Sequence, residues 1–126
     1  MKSEYITKLV HKINELIAQY EQMNINHGGC GMIAVSVSHF LNKLCIPNRI
    51  RANYKNAGYK DFSKAEHYSI VITEELEINK PKFHPAWSTS RYVKDCEWSI
   101  FYLQNECDYD HCIDLYFIAD LNNIRI

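Results

Sequence analysis

The sequence has little glycine, and what it has is concentrated: three of four glycines fall in Asn26-His27-Gly28-Gly29-Cys30-Gly31. The freedom to turn sharply and to approach a ligand closely is therefore gathered in one hexapeptide. No apolar run approaches a membrane span, and the first residues, with an early acid at Glu4, lack the continuous apolar stretch of a secretory signal. A cytoplasmic protein with no membrane partner is expected. Basic excess is missing as well. The formal net charge is −1 and Lys and Arg are dispersed along the chain, so the stripe that a phosphate-backbone binder needs is absent and nucleic acid is not an expected partner. Five cysteines make an odd number with no framework-like spacing, which fits reduced thiols better than a disulfide scaffold. Neither a repeat nor a low-complexity tract interrupts the chain.

With 126 residues, 47% of them hydrophobic and 13% aromatic, the chain can bury one core but not two, and residues 1–126 are read as a single domain. From Ser3 to about Met23 the residues Ile6, Leu9, Val10, Ile13, Leu16, Ile17 and Tyr20 follow helical spacing. Ser3 is the expected cap, and Lys8, Lys12, Asn14, Glu15 and Gln19 are expected on the solvent face. A second helix is expected from Cys30 to about Leu44, with Cys30, Ile33, Ala34, Val37, Leu41 and Leu44 on its buried stripe. Pro47 stops it.

Asn48 to Tyr54 alternates polar and apolar residues and predicts an exposed strand. His67 to Ile72 predicts a buried one, with His67, Ser69 and Val71 on one side and Tyr68, Ile70 and Ile72 on the other. Leu76 to Asn79 can pair back on it as a hairpin. Lys80 to Arg91 reads as a long connection, Trp98 to Leu103 as a strand or part of a short helix, and Ile113 to Ala119 as a last strand.

The hexapeptide sets Cys30 at the first turn of its helix, where unpaired N–H groups and the helix dipole favour a thiolate. Cys30 is either a small buried apolar residue or a nucleophile at the base of a cleft. A nucleophile needs a base, for which His67 at the head of a buried strand is the first choice of six histidines. It also needs a group to orient the imidazole, and Asn79, at the far end of the hairpin, has the right chemistry, though a turn-forming role before Lys80-Pro81 accounts for it equally. An oxyanion site can come from the Cys30 N–H with the amide of Asn24 or Asn26, residues that also suit helix termination. Trp87, with Phe83 and Trp98, can wall a substrate cleft or belong to the core.

Gly29-Cys30-Gly31 opening a buried helix, His67 leading a strand and an amide residue on the next strand together resemble the papain-like and transglutaminase-like cysteine hydrolase superfamily, which uses the order Cys, His, then Asp or Asn. The resemblance covers about Asn24 to Asn79. It implies an α+β fold, with N-terminal helices, one of them carrying the Cys at its start, packed on an antiparallel sheet. It also implies a hydrolase or acyltransferase acting on an amide or acyl bond of a protein or peptide-like substrate, with Cys30, His67 and Asn79 catalytic and Asn24, Asn26, Gly29 and Trp87 around the oxyanion and substrate. Gly31-Met32 stands where many relatives have Trp or Tyr after the Cys, and Cys45 where they have glycine. The alternative is a non-catalytic interaction protein that retains the fold. Cys96, Cys107, His111 and Cys112 are zinc-type ligands at poor spacing, and Gly28 to Gly31 meets neither the P-loop nor the dinucleotide pattern, so neither metal nor cofactor is expected.

Overall fold

A computed structural model of the chain describes residues 2–22, 30–54, 65, 67–81, 89–93 and 111–125, without the side chains of 2, 30, 89–91 and 111–115. The described elements are α1 (Lys2–Glu21), α2 (Cys30–Lys43), β1 (Arg49–Tyr54), β2 (His67–Thr73), β3 (Leu76–Ile78), β4 (Thr89–Val93) and α3 (His111–Asn122). The fold is α+β: the strands form one antiparallel sheet in the order β3-β2-β1-β4. One face of that sheet is apolar. Ile50, Ala52, Tyr54, Tyr68, Ile70 and Ile78 pack there with Ile13 and Ile17 of α1 and Ile33, Val37 and Leu41 of α2. Helix α2 lies against β2 and β1, α1 against β3, and α3 against α1 and α2.

The α1 stripe is where its spacing put it, with Leu9, Val10, Ile13, Leu16, Ile17 and Tyr20 buried. Ser3, however, lies inside the first turn and not at its cap; its carbonyl accepts the Thr7 hydroxyl at 2.9 Å. Asn14 is half-buried, not solvated, and turns toward β3. At the other end of α1, Tyr20 meets Phe117 of α3 edge-on, ring centroids 5.5 Å apart, and donates to Asp120 Oδ2 at 2.6 Å. Burial, then the hydrogen bond and charge of Asp120, push the Tyr20 phenol up to about 12.

The end of α2 decides the direction of everything after it. Cys45 has a positive φ of 59°. Its N–H donates to Asn42 and the Ile46 N–H to Leu41, each at 3.0 Å, the paired bonds of a Schellman reversal with Ile46 and Leu41 both in the core. Leu44, on the reversal, is 41% exposed and leaves the stripe that the sequence assigned it. Asn48 staples the turn: it accepts the Ser38 hydroxyl at 2.7 Å and donates to Asn42 Oδ1 at 2.8 Å and the Ile46 carbonyl at 2.9 Å. The chain thus returns along α2 as β1.

Two strand expectations are corrected. Strand β1 is interior, paired with β2 on one side and β4 on the other, and much of it is buried. Alternation had reported its two faces, one polar and one apolar, and faces say nothing about which edges are hydrogen-bonded. The segment Ile113 to Ala119 is helix, part of α3, with Phe117 and Leu121 buried one turn apart; a short run this rich in apolar residues fits either period. Thr89 to Arg91, expected in a connection, begins β4. Trp98 to Leu103 lies outside the described residues.

At Cys45 an L-residue occupies the left-handed region that favours glycine. Cys45→Gly is expected to stabilise the fold by about 0.5–1 kcal/mol, the relief of that strain exceeding the added freedom of the unfolded chain. Urea denaturation checks it, with Cys45→Val expected to destabilise.

Candidate active site

Reversal at Cys45 makes α2 and β1 run in opposite directions, and the two are matched in length: the 14 residues of α2 and the 6 of β1 each span about 20 Å. The reversal therefore directs the start of α2 toward the end of the sheet where β1 finishes. Asn53 of β1 pairs there with His67, the first residue of β2. Strand β3 runs antiparallel to β2 and delivers Asn79, the residue after it, to the same end. Strand pairing alone thus gathers His67 and Asn79, at the end of the sheet toward which the reversal directs the start of α2.

His67 is 9% exposed, and its Nε2 lies 2.6 Å from the main-chain oxygen of Asn79. A carbonyl only accepts, so Nε2 carries the proton, and in the neutral ring the basic lone pair is on Nδ1. Burial pushes the imidazole below its ordinary value, against the hydrogen bond to Asn79 and the charges of Glu77 and Glu21, which act the other way. Burial thus favours the neutral ring, the form that accepts a proton. Alternation sets His67 on the side of Ser69, opposite the helices, but at the first position of the strand. His67 opens β2, so its ring stands at the sheet's end, and the charge of Glu21, in the last turn of α1, acts on it.

The orienting atom differs from the one the sequence suggested. At Nε2 stands the Asn79 carbonyl and not the Asn79 carboxamide. Asn79 adopts a φ of 60°, a left-handed conformation that asparagine tolerates better than most residues, and it is buried. Asn14 of α1 holds this turn from outside the sheet: its Oδ1 accepts the Asn79 N–H at 2.9 Å, and its Nδ2 donates to the Glu77 carbonyl at 3.2 Å.

Behind His67 the polar face of the sheet carries a hydrogen-bonded group. The Ser69 hydroxyl, wholly buried, donates to Glu77 Oε2 at 2.5 Å and accepts from Asn53 Nδ2 at 3.3 Å. Glu77 Oε1 meets Arg51 at 3.4 Å, and Arg51 also reaches the Tyr92 hydroxyl at 3.3 Å. Arg49 sits 3.7 Å over the Tyr92 ring. Charged and polar groups on this face are thereby matched and need no outside partner to be buried together.

Of the residues singled out in the sequence, the structure joins His67 and Asn79 and places Cys30 at the head of α2. The Cys30 side chain and all of Asn24, Asn26, Gly29 and Trp87 lie outside the described residues. Asn14, Asn53, Ser69 and Glu77 were missed. Only Asn14 left a trace, as a weak helix former beside the apolar stripe of a strong helix. Among the described residues no group of three or more His, Cys, Asp and Glu side chains is arranged to hold a metal ion, and no helix is long and apolar enough to cross a membrane. Side chains of Cys96, Cys107, His111 and Cys112 are not described. No protein-family model matches the chain, no curated protein matches it, and no solved structure matches it.

The depressed imidazole has a consequence for stability. Between its folded value and the ordinary 6.5 the unfolded chain binds the proton more readily, so stability is fully present above that value and is lost as pH falls through the window. Urea midpoints for the wild type should drop as the pH falls below about 6.5. His67→Gln should reduce that drop, and an unchanged pH dependence would mean that another group drives it.

Proposed function

We propose that the chain is a cysteine-nucleophile hydrolase or acyltransferase acting on an amide or acyl bond of a protein or peptide-like substrate. The observation that supports this reading is the buried His67 imidazole, its Nε2 proton committed to the Asn79 carbonyl, with Cys30 heading the helix that reverses into the neighbouring strand. The likeness to papain-like and transglutaminase-like enzymes belongs to the same proposal. So does a cytoplasmic setting, where reducing conditions keep a thiol nucleophile available.

In this mechanism His67 Nδ1 takes the Cys30 thiol proton and the sulfur adds to the substrate carbonyl carbon. Negative charge passes to the carbonyl oxygen, which the N–H groups at the start of α2 stabilise with help from Asn24 or Asn26. The carbonyl reforms, the bond to the leaving amine breaks, and His67 returns its proton to that amine, leaving a thioester on Cys30. Water completes hydrolysis, or an amine completes acyl transfer, with His67 accepting and returning a second proton. The Asn79 carbonyl holds the ring throughout and lowers the cost of the imidazolium.

Cys45 is exposed and stands away from the site at the far end of α2, which makes it an internal standard. Iodoacetamide at mildly acidic pH should alkylate Cys30 about ten times faster than Cys45, because only an activated thiol is ionised there. In His67→Ala the difference should vanish while the fold persists by circular dichroism. Equal, slow labelling of both thiols in the wild type would overturn the enzyme reading in favour of a binding protein on the same fold.

A further inference from the structure

We propose that Asn14 is a positioning residue for His67, fixing from α1 the main-chain turn whose carbonyl receives the imidazole proton. The inference rests on the reading of His67 as the base for Cys30, but its geometry stands independently. The Asn14 carboxamide makes two hydrogen bonds to two main-chain groups that flank Ile78: it accepts from the Asn79 N–H at 2.9 Å and donates to the Glu77 carbonyl at 3.2 Å. Those contacts use an acceptor and a donor of the amide at once, so its orientation is determined. They join residues 65 and 63 positions apart in the chain. Between them the β3 main chain is pinned where it leaves the sheet.

The pinned segment is the one that matters to the imidazole. Asn79 turns in the left-handed region at φ 60°, and its carbonyl points back to His67 Nε2 at 2.6 Å. A main-chain acceptor cannot be steered by a rotamer; its direction is the direction of the peptide plane. Holding the N–H of Asn79 and the carbonyl of Glu77 restricts the chain around Ile78, itself fully buried, and this restricts the Asn79 turn. Asn14 thus does for a main-chain carbonyl what a buried packing residue does for a catalytic amide.

Among the described residues the groups whose charge acts on the ring are Glu77 on β3 and Glu21 on α1, and neither is altered by substituting Asn14. Imidazole nitrogen shifts of His67, followed by heteronuclear NMR across pH on isotopically labelled protein, report the tautomer directly. In the wild type Nε2 is expected to carry the proton. In Asn14→Ala the ratio of the two neutral tautomers should move about fivefold toward Nδ1–H, the factor that corresponds to weakening one ordinary hydrogen bond. The iodoacetamide rate at Cys30 should fall by about the same factor.

Asn14→Asp keeps the acceptor for the Asn79 N–H but loses the donor to the Glu77 carbonyl, and should shift the tautomer less than Asn14→Ala, which gives a second reading if the alanine variant does not fold. Tyr20→Phe breaks the bond to Asp120 at the other end of α1; it should lower the melting temperature without changing the tautomer. An unchanged tautomer in folded Asn14→Ala, or an equal shift in Asn14→Asp or Tyr20→Phe, would overturn the proposal. Failure of Cys30 to react selectively in the wild type would overturn the enzymatic reading instead, and the nitrogen shifts distinguish the two outcomes.

Discussion

Reversal of the chain after α2 is the constraint on which the site depends. A helix that ended anywhere else, or continued, would not send β1 back along its own length. The beginning of α2 and the beginning of β2 would then not be brought to one end of the sheet. Hydrogen bonds enforce the turn against the strain of a left-handed Cys45: the two backbone bonds to Leu41 and Asn42, and those of the Asn48 side chain to Ser38 and Asn42. Each is worth on the order of 1 kcal/mol, yet together they decide the direction of the whole antiparallel sheet. Apolar burial drives the layer together, but it is indifferent to which end faces which.

The polar side of the sheet solves a different problem. A buried imidazole needs a neighbour that fixes its proton without charging it, and a carbonyl does this while a carboxylate pulls the ring toward its protonated form. Glu77 lies close enough for its charge to be felt by the ring, yet its two oxygens are taken up by Ser69 and Arg51. Desolvation is the largest influence on the ring and outweighs the acids, holding the imidazole below its ordinary value.

Much of this architecture was legible in the residues. The α1 stripe from Ile6 to Tyr20 repeats over about four turns, so no competing period fits it, and the hairpin from His67 to Asn79 follows from a β-branched run, a short turn and a second run. Failures have specific causes. Ile113 to Ala119 is apolar on nearly every side and too short for its period to separate helix from strand. The interior position of β1 depends on edge pairing, which side-chain alternation does not encode. Asn14 reads as one more polar residue on an amphipathic helix because its partners are main-chain atoms more than sixty residues away. The proximity of His67 and Asn79 could be anticipated, but which oxygen of Asn79 faces the ring could not, since it follows from a single dihedral angle.

That dihedral angle separates a function from the letter that would normally record it. Where a side chain orients a histidine, the third position is written in the sequence as an acid or an amide and can be recognised by its chemistry. Where a peptide carbonyl does so, the requirement falls on the backbone, and the residue at position 79 is chosen for its tolerance of a left-handed turn. A glycine there would supply the same oxygen with no amide to see. In such a chain an oriented imidazole is recorded in the sequence only as a histidine and a turn.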